Sequence, residues 1–200
     1  MRHLFSICAV FLLALLTVAC GSDDKKDGGG LLSGNQPQAQ QAGSASPAPA
    51  GGANAGNLLN PCTLFTRDDA TAALGMPVKD GELKQGAQPL GQRMCFYGAA
   101  DDRSPNSVQL SIVQTAGMSE AVRKGGQSAK TLHDGTRAGI TSPVPQPGIG
   151  QDAFIGSTSI YVLKGDTHFS ILLFGNGRPG EASHTNALKA AATKVVAKVP

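Results

Sequence analysis

The chain has 200 residues, with 17 Lys and Arg against 14 Asp and Glu, no Trp, and only 4% aromatic residues. A surplus of three positive charges, spread along the chain, leaves no electrostatic footprint for nucleic acid. A carbohydrate platform built on stacked Trp has no material.

The chain opens with Met1-Arg2-His3, a short positive segment, followed by an apolar run from Leu4 to Leu16. That run is shorter than the roughly 20 residues a transmembrane helix needs, and it has the length of a signal-peptide core. Thr17-Val18-Ala19-Cys20 follows. A small residue directly before a cysteine, after such a run, resembles the lipobox of bacterial lipoproteins. The resemblance implies cleavage after Ala19 and a diacylglycerol thioether on Cys20. Thr17 stands where the lipobox usually has Leu, with Leu16 one place earlier. The alternative is an ordinary secretory signal with a chance cysteine at the cut. Gly21-Ser22 follow the cysteine, without the Asp that favours inner-membrane retention in Gram-negative lipoproteins. The expected location is the cell membrane, lipid-anchored and facing the periplasm or exterior, with the outer membrane favoured if the source has one.

Residues 28–56 carry no charge and consist almost wholly of Gly, Ala, Gln, Pro, Ser and Asn. Such a composition cannot bury enough apolar surface to offset its ordering entropy. Residues 20–57 therefore read as a lipidated N-terminus and tether, about 35 Å in root-mean-square span for a flexible coil. Ser22-x-x-Lys25 matches a penicillin-binding motif by letters alone. It lies in that tether without the helix its chemistry requires.

Residues 58–200 suit one domain. Cys8 leaves with the signal peptide and Cys20 takes the lipid, so Cys62 and Cys95 remain in a compartment that permits disulfides. The reading favours a structural bridge. A redox or metal pair is the alternative, but no Cys-x-x-Cys and no histidine ligand pattern accompanies them.

Thr66 reads as a helix N-cap, with Asp69 three residues on in a capping box and Phe65 at the staple position. Asp68 and Asp69 fall in the first turn, where the helix dipole favours anions. They read as cap and dipole partners rather than as paired catalytic carboxylates. Gly75 suits a left-handed cap and Pro77 blocks continuation. Residues 75–91 look poorly structured. Residues 94–99 read as a strand, and residues 107–115 alternate as a half-buried one, with Val108, Leu110 and Ile112 inward. Residues 119–132 suggest one helix weakened by Gly125-Gly126. Residues 153–174 give two or three strands, including a hairpin from Tyr161-Val162-Leu163 through Lys164-Gly165-Asp166 to residues 169–174. Residues 181–199 are the clearest helix, with Leu188, Ala191, Ala192, Val195 and Val199 on one face. The expected fold is α+β: an antiparallel sheet of about four to five strands with helices on one face, in a single disulfide-bonded domain.

Asn60-Pro61-Cys62-Thr63-Leu64-Phe65-Thr66, the short helix ending Leu74-Gly75, Cys95-Phe96-Tyr97, and Gly148-Ile149-Gly150-Gln151-Asp152-Ala153-Phe154 form a pattern. It resembles small bacterial lipoproteins of unknown function, well represented in actinobacteria, that open with Asn-Pro-Cys-x-Leu-Leu-Thr. The resemblance spans most of residues 60–199 and implies a fold, not a chemistry. Gly148-x-Gly150-x-x-Ala153 also approaches a dinucleotide fingerprint. That motif needs a strand before and a helix after, whereas Pro143, Pro145 and Pro147 precede it here and Phe154-Ile155 reads as strand.

His133, His168 and His184 have no partner at metal-ligand spacing, and neither a Gly-x-Ser-x-Gly elbow nor a P-loop is present. His168 reads as a plain strand residue, although a triad assembled in three dimensions is recognised by geometry rather than sequence. The hairpin at Tyr161 resembles that of lysozyme-inhibitor lipoproteins, but those are helix-free barrels. The expectation is a membrane-anchored, non-catalytic binding module without a cofactor, meeting an envelope protein or the cell wall. An envelope hydrolase with an unrecognised site is the alternative.

Overall fold

Asn60 is the N-cap of the first described helix: its side chain accepts the Cys62 N–H, and Pro61 starts the one-turn helix α1 (Pro61–Leu64). The computed structural model describes residues 58–85 and 89–200. The expected signal segment, the expected lipidation site Cys20 and the expected tether lie outside them.

Helix α2 (Arg67–Leu74) follows the expected local chemistry. Thr66 and Asp69 form a reciprocal capping box, and Gly75 closes the helix at φ 72°. Three strands follow: β1 (Glu82–Gln85), β2 (Arg93–Gly98) and β3 (Ser107–Gln114). A 3-10 turn at Thr115–Gly117 leads to helices α3 (Glu120–Lys124) and α4 (Ala129–Gly139). The chain then returns through β4 (Val144–Pro145), β5 (Asp152–Ile155), β6 (Ser159–Lys164) and β7 (Thr167–Phe174), and ends in α5 (Ala182–Lys198).

Among the described residues, seven strands join one antiparallel sheet in the order β1-β2-β3-β7-β6-β5-β4. The expected four to five strands are thus exceeded. The two additional strands are the edges. Strand β1 lies in the stretch expected to lack structure; all four of its residues are exposed, so it carries no burial alternation to read. Its stretch is held further by the Val78–Ala99 bridge. Strand β4 contains Pro145, which an edge strand tolerates because one side of its backbone needs no ladder donor.

The central pair β3–β7 runs from Ser107↔Phe174 to Gln114↔Thr167. On one face of the sheet, Val108, Leu110, Ile112, Ile160, Val162, Phe169, Ile171 and Leu173 form the core with α1, α2 and α5. Helix α5 contributes Leu188, Ala191, Ala192 and Val195, the stripe expected from the sequence. Complete burial of a Leu or Val side chain contributes roughly 1.5–3 kcal/mol, so α5 is firmly held.

Helices do not keep to one face. Successive strand residues point to opposite sides, so His168, between Thr167 and the core residue Phe169, faces away from α5. There it meets His133 of α4. This is why Val113, expected to face solvent, is only 4% exposed: it lies opposite His168 in the ladder. Ser111 is buried on the same face, its hydroxyl accepting from Gln92 Nε2 at 2.6 Å. The single helix expected over residues 119–132 is instead two. Gly126, at φ 85°, ends the first, and Ser128 caps the second by accepting from the Thr131 N–H.

Candidate functional site

Cys62 and Cys95 form a disulfide with a Cα–Cα distance of 5.1 Å. It ties α1 to β2. Cys95 is fully buried in the core, which places the pair in a structural setting. Beside it, Tyr97 donates its hydroxyl to the Phe65 carbonyl and packs edge-on to the Phe65 ring at 5.9 Å. Burial, with a smaller contribution from the Asp69 charge, pushes the Tyr97 phenol up to about 12.

Asp68 and Asp69 divide as adjacent helical positions must. Asp69 turns inward to the cap and to two lysines of α5, Lys194 at 2.9 Å and Lys198 at 3.2 Å. Gly148 and Gly150, at φ 83° and 65°, shape a loop that enters strand β5. No helix follows them, so the glycines serve loop geometry rather than a dinucleotide.

The polar cluster that the fold assembles is on the second face of the sheet. His133 Nε2 lies 3.1 Å from Asp152 Oδ2, and His133 Nδ1 lies 3.1 Å from His168 Nδ1. Arg137, one turn along α4, holds the other Asp152 oxygen at 2.6 Å. These bonds assign the tautomers. His133 donates through Nε2–H to the carboxylate, so its Nδ1 accepts from His168 Nδ1–H. Aromatic rings enclose the chain. Tyr161 stacks on Phe154 at 5.1 Å and lies parallel to His168 at 6.4 Å. The Arg137 guanidinium sits 4.7 Å above the Phe154 ring.

Burial dominates the electrostatics here. It pushes His168 down to about 4, helped by the neighbouring His133. It also lowers His133, although Asp152 pulls the other way. Burial alone would raise Asp152, but the Arg137 and His133 hydrogen bonds more than offset it and hold the carboxyl below its ordinary range. Both imidazoles are therefore neutral at pH 7.

An Asp–His–His chain orients a base, yet nucleophilic catalysis needs a hydroxyl or thiol within hydrogen-bond reach. Among the described residues, no Ser, Thr or Cys bonds to either imidazole. Nor does any group of three or more His, Cys, Asp and Glu among them have a metal-binding arrangement. His184 lies across the sheet in α5, almost wholly buried, with Nδ1 3.2 Å from the Asn176 carbonyl. The fold thus joins His168 to an acid through His133 but leaves His184 apart. Sequence reasoning missed this cluster because its members come from α4, β5 and β7, at separations that form no motif.

Beyond the reach of α4, the same face is partly open. Met94, Phe96 and Leu172 are half-buried there, and Phe174 is 56% exposed. Lys84 lies over the Phe96 ring at 5.1 Å. Among the described residues, no helix is long and apolar enough to cross a membrane. A scan against family models finds no match, and searches of curated proteins and of solved structures find none at a significant level.

Proposed function

We propose that the chain is a bacterial envelope lipoprotein, anchored through lipid on Cys20, whose folded domain is a non-catalytic interaction module. The observation that carries the reading is the partly open strip on the second sheet face, where Met94 and Phe96 of β2 and Leu172 and Phe174 of β7 flank the polar Ser107, Gln109 and Ser111 of β3. Apolar side chains left open on one sheet face and set among polar ones are a pattern of contact sites. Its chemistry suits an apolar protein surface in the envelope better than a glycan, since the strip offers no Trp for stacking. The Asn-Pro-Cys pattern and the lipobox-like start support the envelope assignment. No cofactor enters the reading.

The hydrolase reading draws on the Asp152–His133–His168 chain. It lacks a nucleophile bonded to that chain among the described residues, and both histidine nitrogens of His133 are already engaged. The test is photo-crosslinking from position 172 in cells. The wild type should give a discrete crosslinked envelope protein, and Phe96→Asp should remove it while the thermal midpoint is kept. Crosslinks unchanged by Phe96→Asp would overturn the contact surface. An ester or amide hydrolysis abolished by His168→Ala would replace the reading with the enzyme.

A further inference from the structure

We propose that the His133–His168 contact is an acid-sensitive latch, which holds α4 on the second face of the sheet at neutral pH and releases it on protonation. This goes beyond the interaction-module reading and stands or falls without it.

Helix α4 is lightly held. Of its eleven residues only Ala129 and His133 are buried, whereas α5 buries five. Ala129 is tied by its N–H to Thr115 Oγ1 at 2.8 Å. The half-buried Leu132 and the contacts of His133 and Arg137 with the Phe154 ring add to this, and the rest of the hold is polar: His133 to His168 and Asp152, and Arg137 to Asp152. Arg137 Nε is buried with no hydrogen-bond partner among the described residues, which weakens that hold.

The helix also carries Gly135 and Gly139. A Cβ added at either would meet nothing within 4 Å, so packing does not require glycine there. Gly135, inside the helix, weakens it roughly five-fold relative to alanine, and Gly139 is its last residue. A helix with an interior glycine, a glycine at its end and two buried anchors is poised to leave.

Protonation acts on the latch in two steps. The first proton places an imidazolium in a site from which α4 excludes water, and the nearest carboxylate, Asp152, is already shared by Arg137 and His133. The second sets two N–H donors against each other across 3.1 Å. The charged and titratable groups facing the pair are Asp134 and Arg137 from α4, Asp152 from β5 and Tyr161 from β6. None supplies an unshared carboxylate to a second cation. With α4 lifted, both rings regain water and their ordinary proton affinity.

The sign follows. His168 is lowered from 6.5 to about 4 when covered. The open form therefore binds the proton more tightly, and closure weakens progressively as pH falls from about 6.5 toward 4. For His168 alone the opening equilibrium shifts on the order of 100-fold. Release would uncover Phe154, Val113 and Leu163, now almost wholly buried, and extend the apolar strip.

Hydrogen exchange of the full chain tests this, with rates corrected for the intrinsic pH dependence of amide chemistry. Amides of α4 should lose protection on the order of 100-fold between pH 7 and pH 4.5, while those of α5 keep theirs. His168→Asn should remove most of that change. Gly135→Ala/Gly139→Ala keeps both histidines and should move the release to lower pH, which provides a test if His168→Asn folds poorly. Unchanged α4 protection at pH 4.5, an equal loss in α5, or full acid release in His168→Asn would each overturn the latch.

Discussion

Lys194 of α5 lies 2.9 Å from the Asp69 carboxylate in the first turn of α2, so one side chain both caps its own helix and receives the C-terminal helix. The other Asp69 oxygen accepts from the Thr66 N–H at 3.1 Å and faces Lys198 at 3.2 Å. Burial would raise this carboxyl. The Lys194 contact, the Thr66 backbone bond and Lys198 together hold it well below its ordinary 3.8.

Asp69→Asn should therefore cost about 1–2 kcal/mol at pH 7, the scale of a lost cap bond combined with a partly exposed ion pair. The folded-state proton affinity is depressed. The contribution is thus present above about pH 4 and lost as pH falls below it toward the folded value. Urea unfolding should show wild type and variant converging in stability as pH falls from about 4 toward 2. A gap that stays constant over that range would show that the charge has no part in it.

The second prediction concerns the disulfide. Cys62 and Cys95 are 33 residues apart, and their bridge pins α1 to β2. Cys62→Ser/Cys95→Ser should lower stability by about 2–5 kcal/mol. Thiol titration in guanidinium, without reductant, should find neither cysteine reactive in protein taken from its source cells. Two reactive thiols there would restore the redox or metal reading of the pair.

Local chemistry was legible where it was dense. The capping box at Thr66 and Asp69, the left-handed Gly75, the β6–β7 hairpin and the apolar stripe of α5 all follow from short-range pattern. What escaped depended on neighbours distant in sequence. Strand β1 has no apolar alternation because it is an exposed edge, and its pairing partner β2 alone makes it a strand. Ser111 and Val113 looked outward-facing because Gln92 and α4, which cover that face, are not implied by β3 itself. His168 resembled a plain strand residue for the same reason. Its partner His133 sits 35 residues earlier, on a helix that runs to Gly139 whereas the expected helix stops at Leu132, one residue short of it.

The third prediction concerns the anchor, which rests on the sequence pattern at Ala19-Cys20. Metabolic labelling with a palmitate analogue should mark the wild-type chain and leave Cys20→Ala unmarked. The variant should also leave the membrane fraction. Equal labelling of the two would return the segment to an ordinary secretory signal.

The last prediction separates two glycines of one loop. Gly148 and Gly150 both have positive φ, at 83° and 65°. A side chain at either position meets left-handed strain of about 1–2 kcal/mol. Only Gly150 adds a collision: a Cβ there would lie 2.7 Å from the Leu163 carbonyl oxygen and 2.7 Å from Val162 Cγ1, whereas at Gly148 nothing lies within 4 Å. Leu163 O also accepts the Gln151 N–H at 2.8 Å, so the loop cannot back away without breaking that bond. Gly148→Ala should thus cost about 1–2 kcal/mol, and Gly150→Ala about 2–4 kcal/mol once overpacking is added. Equilibrium unfolding of the two variants decides the matter. Equal losses would mean that close approach to β6 is not what selects glycine at position 150, and the loop would then be read from its backbone angles alone.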